Sequence, residues 1–406
     1  MLLILAWRNI WRNKRRSFII ISAISVGILC GLFASAIMFG MGDSLVNSTI
    51  DRDLGHIQIH SEKFEDEKLL TDTIPDIESV VRNITQQNNI IGYTSRIVIE
   101  GMGSSASTSN GLRIVGINPR EEKSVTSIHK QLITGNYFTG ENTRGNQIVI
   151  GEKLAENFGI KEKSKIVLSF QGFDGSIIYG AFRVIGIFRT ESTLFDKTNV
   201  FIKKDDLYSL LGSRSFAHEI SIRLSSVQAV DSIYANLTKT LEDVSVKNWK
   251  DLAPDLKLMD ELIGVQLNIF LGIILFALLF GITNTMLMSV LERVREFGVL
   301  MAIGMKRRRV FSMIIIETIS LSLVGGIIGI ICSSILIAYF GSVGINLSGF
   351  AKGFTAWNLS PVLQPELPVY FYFSITIMIV VTAILSAVYP AIKAIKLNPA
   401  NAIRTY

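Results

Sequence analysis

A chain of 406 residues with 49% hydrophobic and only 18% charged residues is too apolar for an ordinary soluble protein and too polar to lie wholly in lipid. Its net charge of +6 does not mark a nucleic-acid binder, because much of the basic excess flanks apolar runs, where membrane topology and anionic lipid account for it. The two cysteines, Cys30 and Cys332, both fall inside such runs, which excludes a disulfide from the rest of the chain.

Residues 1–16 mix Leu2, Leu3, Leu5, Ile10, Trp7 and Trp11 with Arg8 and Arg12, and read either as an amphipathic helix on the inner leaflet or as a plain basic flank. The first apolar run, 17–41, exceeds the core of a signal peptide despite Ala34-Ser35-Ala36 near its end, and is expected to remain as an anchor. Further runs at 267–291, 310–340 and 370–389 each hold about twenty residues or more, the length a helix needs to cross about 30 Å of hydrocarbon. Lys and Arg cluster before the first run, between the second and third, and after the fourth, whereas the loop 341–369 carries only Lys352. The positive-inside rule then predicts cytosolic termini (1–16 and 390–406), a cytosolic loop 292–309, and an outside location for residues 42–266.

Between 42 and 266 the long apolar runs give way to short alternating ones, as in a domain folded in water. Strands are expected at 56–60, 94–100 and 112–117 with a helix near 75–82, and again at 218–224 and 244–247 around a helix at 227–241. These two pieces, about 46–128 and 216–255, read as halves of one α+β subdomain, and the strand-rich stretch 129–215 as an insertion. Within it Gln171-Gly172-Phe173-Asp174-Gly175-Ser176 is a turn signal between strands at 165–170 and 179–188. The predicted fold class is therefore mixed: a four-helix transmembrane α domain with a large α+β domain inserted between the first and second spans.

The segment Glu292–Arg309 joins helix formers to an apolar stripe, Val294, Phe297, Leu300 and Met301. Such a stripe suits a groove on a soluble partner, with Arg293, Arg295 and Glu296 at the rim, and Gly298 and Gly304 allowing close approach or a bend. Gly27-x-x-x-Gly31 and Gly325-x-x-x-Gly329 place small residues four apart, for packing within the chain or at a dimer seam. Glu317, early in the third span, reads either as a hinge contact to the basic N-terminal flank or Lys306–Arg309, or as a headgroup-level charge. His56 and His60 lie about 13 Å apart if extended, too far to share a metal, and no Ser-His-Asp or Cys-His set is recognisable. The sequence holds no G-x-x-x-x-G-K-[ST] phosphate loop, so neither an ATP cradle nor a Mg²⁺ site is expected in it.

Taken together, Asn284 to Gly298 (NTMLMSVLERVREFG), Ala302-Ile303-Gly304, Glu317, Gly325-Gly326-Ile327-Ile328-Gly329 and the close Tyr389-Pro390-Ala391 with Pro399 to Arg404 resemble the carboxy-terminal permease region shared by MacB, FtsX, LolC and LolE. Outside the spans, Leu112 to Pro119, Ile148 to Ala155 and Trp249 to Pro254 are more similar to the lipoprotein-releasing LolC and LolE. In two places the chain departs from the pattern: Met301 stands where the family often has a basic residue, and the turn after Phe170 is shorter than the hook with which LolC recruits its carrier.

The resemblance implies a non-catalytic permease subunit in a bacterial inner membrane, paired with a second permease subunit and driven by a cytosolic ABC ATPase that holds the ATP and Mg²⁺. It implies Porter-like halves at 46–128 and 216–255 around a Sabre-like insertion at 129–215. Coupling to the ATPase falls to Glu292, Arg293, Arg295, Glu296, Phe297, Gly298, Leu300, Met301, Ala302 and Gly304. Intramembrane polar and packing roles fall to Asn284, Glu317, Gly27, Gly31, Gly325 and Gly329, and a periplasmic partner loop to Gln171, Gly172, Phe173, Asp174 and Gly175. Lipoprotein cargo with a periplasmic carrier is the expected substrate; MacB-like export and FtsX-like signalling to a cell-wall hydrolase are the alternatives. If motion is carried across the membrane, Asp43–Val46 and Leu256–Val265 should be stalks rather than loops.

Overall fold

The computed structural model describes residues 14–64, 69–106, 108–138, 146–213, 215–347, 349 and 362–396. The expectations for residues 1–13, Lys352 and Pro399–Arg404 lie outside the described residues. Two compact units emerge, one from 1–43, 260–347 and 362–406, the other from 44–259 and 348–361.

Among the described residues, four helices are long and apolar enough to cross a membrane: Lys14–Thr49, Pro254–Glu292, Arg307–Val343 and Val369–Ile395. Each buries one stripe and leaves the rest of an equally apolar surface facing outward. In the first helix Ile20, Ile24, Ile28, Leu32 and Ala36 recur every fourth residue and are buried, while Leu267, Leu271 and Leu275 do the same in the second. Phe276 and Phe280 of the second helix are exposed, as suits lipid. The first helix runs on through Asp43–Val46 and the second begins before Leu256–Val265, so both candidate stalks are helical.

The small residues bring helices together within the chain. A Cβ on Gly27 would meet the Leu278 side chain at 2.9 Å, and one on Gly31 the Ile274 side chain at 3.1 Å. On the third helix, a Cβ on Gly325 would lie 3.0 Å from the Ile21 carbonyl oxygen and one on Gly329 2.8 Å from that of Ser25. Ser25 Oγ donates to the Gly325 carbonyl at 2.9 Å, so backbone approach is matched by a hydrogen bond.

The described residues of the second unit form ten strands, β1 (Ile57–His60), β2 (Ile90–Ser104), β3 (Ser109–Ile117), β4 (Leu132–Gly135), β5 (Gln147–Gly151), β6 (Lys165–Gln171), β7 (Ile177–Phe188), β8 (Asn199–Lys203), β9 (Glu219–Leu224) and β10 (Ser245–Asn248). They run β10-β1-β9-β2-β3-β8-β5-β7-β4, and β6 pairs with both β2 and β7. That last pairing closes β2, β3, β8, β5, β7 and β6 into a ring. Ile114, Ile150, Leu168, Phe182, Val184 and Ile202 fill it, each contributing roughly 1.5–3 kcal/mol of burial. On the other side of β2, helices Ile77–Thr85 and Val230–Thr240 cover β1 and β9 through Ile84, Leu237, Ile57, Ile59, Ile220 and Ile222.

This division differs from the expected boundaries. Strand β3 and the far part of β2, assigned by sequence to the α+β half 46–128, are staves of the barrel. The physical reason is closure: β5 to β8 alone make an open sheet with unpaired edges, and the two further strands complete the ladder. The stretch 129–215 also carries helices, Glu152–Phe158, Thr193–Thr198 and Lys204–Leu211, that its strand-rich pattern concealed.

Candidate functional site

The second membrane helix ends at Glu292, and after Arg293 a nine-residue helix, Val294–Ala302, begins. It stops in a Schellman motif, in which Met305 N–H donates to the Leu300 carbonyl at 3.0 Å and Gly304 N–H to that of Met301 at 3.1 Å. Gly304 takes φ +101°, and a Cβ there would meet nothing within 4 Å. Its role is conformational, a helix stop, rather than close approach.

The apolar stripe expected to meet a partner is instead turned inward. Phe297 is 1% exposed and belongs to the core of the membrane unit, Gly298 is buried, and Leu300, Met301 and Met305 pack against that core. A short helix tethered closely between two membrane helices buries its apolar face on the nearest apolar surface, which is its own bundle. The outward face is Glu292, Arg295, Glu296, Val299, Ala302 and Ile303, the last 80% exposed. Val299 and Ile303 escaped the sequence reading, although Glu292, Glu296, Val299 and Ile303 recur at helical spacing as a second stripe.

Arg293 fastens this helix to the bundle. Its Nη1 donates to Glu317 Oε1 at 3.2 Å and Oε2 at 3.1 Å, its Nε donates to Glu296 Oε2 at 2.9 Å, and its guanidinium carbon lies 5.1 Å from the centre of the Phe297 ring. Glu317 is buried and the Arg293 side chain is 11% exposed. Arg293 is thus a partner of Glu317 that the sequence reading did not name. Lys306 to Arg309 sit roughly 12–17 Å away along the same helix at 1.5 Å per residue and are exposed.

Asn284, singled out as an intramembrane polar residue, faces outward, whereas its neighbour Thr283 donates from Oγ1 to the Ser386 carbonyl on the fourth helix at 3.1 Å. The β6–β7 turn satisfies its own polar groups: Gly172 N–H donates to the Ser176 carbonyl at 2.8 Å, and Asp174 Oδ1 accepts from Ser176 N–H at 3.0 Å. Gly175 takes φ +82°, and Phe173 packs edge-on to Phe216 at 5.4 Å.

His56, His60 and His218 are packing groups. The ring of Phe64 stacks between His60 at 5.6 Å and His218 at 5.0 Å, and His56 Nδ1 accepts from Leu224 N–H at 3.2 Å. Burial first, then Arg223, pushes the His56 pKa down to about 4. Because the folded pKa lies below the unfolded one, stability is lost as pH falls from about 6.5 towards about 4, as the unfolded chain alone takes up the proton. Asp196, raised to about 6 by burial, acts in the opposite sense over much of this range. His56→Gln keeps an acceptor without the titration, so its unfolding temperature should fall less than the parent's between pH 7 and pH 4. Equal slopes in the two proteins would refute this assignment.

Comparison with known proteins places this architecture in a class. Residues 268–399 match the FtsX-like permease C-terminal family and residues 17–240 the MacB-like periplasmic core domain family, the latter over more than half the chain. Four apolar helices with such a domain between the first and second define an ABC transporter permease of the inner membrane with a periplasmic domain. The chain belongs to the MacB/FtsX-like family of these permeases. The uncharacterized ABC transporter permease MJ1507 of Methanocaldococcus jannaschii is 25% identical over 233 residues, 55% of each chain. The uncharacterized ABC transporter permease YknZ of Bacillus subtilis is 22% identical over 98% of each chain. The macrolide export ATP-binding/permease protein MacB of Escherichia coli is 24% identical over 92% of this chain and 56% of its own length. The chain thus spans about half the length of MJ1507 and of that MacB.

Proposed function

We propose that this chain is a permease subunit that receives ATP-driven motion from a cytosolic ABC ATPase and delivers it to its periplasmic domain, working beside a second permease subunit. The observation that carries this reading is the outward stripe Glu296, Val299 and Ile303, with Glu292 at the end of the preceding membrane helix, on a segment that Arg293 and Phe297 hold against the membrane bundle. A helix fixed on one side and presenting charge and apolar surface on the other is suited to transmit a push without folding away. ATP and Mg²⁺ belong to the ATPase in this scheme. Cytosolic termini and a cytosolic 292–309 loop follow from the flanking Lys and Arg.

Charge reversal of Glu292 and Glu296 together, or Ile303→Asp alone, should lower co-purification of the ATPase by about tenfold, or ~1.4 kcal/mol. Unchanged capture and an unchanged ATPase rate would remove the stripe from the contact.

For cargo, the periplasmic motifs near Leu112, Ile148 and Trp249 support a lipoprotein drawn from the membrane and passed to a carrier. The relatives aligned over nearly the whole chain carry the names MacB and YknZ, which supports MacB-like export of peptides or small molecules equally. Depletion of the protein separates the two. Lipoproteins stranded in the inner membrane decide for the first, and heightened sensitivity to peptides or drugs with normal lipoprotein sorting for the second.

A further inference from the structure

Arg96 is fully buried in the second unit and occupies a singular place in the sheet. It is the last residue of β2 paired with β9, opposite Glu219, and the next residue, Ile97, is the first paired with β3. The strand therefore passes from the α+β half into the barrel at this side chain.

Side chains from different parts of the unit converge there. Arg96 Nη2 and Nε donate to the two carboxylate oxygens of Glu122 at 2.7 and 3.0 Å, and Nη1 donates to Glu219 Oε1 at 2.5 Å and to the Asp53 carbonyl at 2.7 Å. Arg113, on barrel strand β3, donates to Asp53 Oδ2 at 2.7 Å and Glu219 Oε2 at 3.2 Å. Thr94 and Thr126 hydroxyls also donate to Glu122, at 3.1 and 2.9 Å.

Asp53 belongs to a single widened turn, Ile50–Leu54, that follows the first membrane helix in the chain. Successive residues of that turn grip opposite halves. Asp51 pairs with Arg223 of β9, the Arg52 guanidinium carbon lies 5.0 Å from the ring centre of Phe195 on the barrel side, Asp53 meets Arg96 and Arg113, and the Leu54 carbonyl accepts from Ser221 of β9 at 2.9 Å. A buried ionic network is a poor way to gain stability, because desolvation offsets the attraction and apolar residues of similar volume often do as well. What it supplies is direction: bidentate guanidinium bonds fix orientation as packed methyl groups do not.

We infer that Arg96 is a positioning residue that locks the Ile50–Leu54 turn to both halves of the periplasmic domain at once, so that a displacement of the turn moves the α+β half and the barrel as one body. The ATP-driven part of this inference rests on the proposed function; the locking itself does not.

The test uses the full chain in nanodiscs, with Cys30→Ala and Cys332→Ala and spin labels on Lys239→Cys and Ala181→Cys, exposed positions in the two halves. The parent should give one narrow distance population, unchanged when the ATPase and ATP are added. Arg96→Met should lose the narrow population with or without ATPase, and Asp53→Asn, which spares the buried arginine and keeps the backbone acceptor, should lose it in part. Melting temperatures are read alongside. A variant that melts lower yet keeps the parental distance width shows a merely stabilising role and overturns the inference, as does parental width in both variants. Should Arg96→Met fail to fold, Asp53→Asn decides by the same criterion. Absence of any ATPase binding to the parent would overturn the proposed function instead, leaving the comparison of widths intact.

Discussion

Glu317→Ala should cost the membrane unit about 3–5 kcal/mol, because it leaves the Arg293 guanidinium largely buried without its principal carboxylate. The slight exposure of Arg293 and its second bond to Glu296 place the loss towards the lower end of that range. The consequence for function should exceed the consequence for folding. With the latch gone, the helix Val294–Ala302 keeps only its apolar contacts to the bundle, and ATPase stimulation should fall even at temperatures where the protein is fully folded. Exchanging the charges, Arg293→Glu with Glu317→Arg, should recover part of both effects, since the pair is re-formed in reverse while the bond to Glu296 is lost. Thermal unfolding in detergent and ATPase rates of the reconstituted complex provide the measurements. A Glu317→Ala protein that melts and stimulates like the parent would show that the pair holds nothing in place.

Gly329→Val and Gly325→Val form the second large-effect pair, at about 1–3 kcal/mol each by overpacking. The new Cβ atoms would press on the carbonyl oxygens of Ser25 and Ile21 and on the Cβ atoms of Ile28 and Ile24, none of which can swing aside without shifting the first helix. The Ser25 to Gly325 hydrogen bond would stretch as well. Gly27→Ala is the informative control: the nearest atoms to its Cβ are Cδ2, Cδ1 and Cγ of Leu278, a flexible side chain rather than backbone, so its melting temperature should drop less. If all three variants melt alike, close backbone approach between the first and third helices is not what these glycines provide.

Much of the architecture is legible in the chain because it is written in local periodicity. Apolar runs of membrane length specify helices whatever surrounds them, and the alternation in Lys165–Phe170 and Tyr179–Phe188 around Gly172 and Gly175 specifies a hairpin. The element between the second and third helices was found for the same reason, but its orientation was not. Its two stripes, Val294/Phe297/Met301 and Glu292/Glu296/Val299/Ile303, are both at helical spacing, and only the neighbouring helices decide which is covered.

Arg96 shows the limit most plainly. Nothing around it in the sequence distinguishes it from an ordinary strand residue, and its carboxylate partners Glu122 and Glu219 lie 26 and 123 positions away. Four membrane helices, an α+β domain between the first two and a charged helix between the second and third can be read along the chain, because each depends on the spacing of residue types over a few turns or one strand. Only the folded chain brings β2 and β3 into the barrel, Arg293 to Glu317, and Arg96 to its carboxylates. Those outcomes turn on which distant surfaces meet, and a charge or an edge strand finds its partner only after the chain has folded around it.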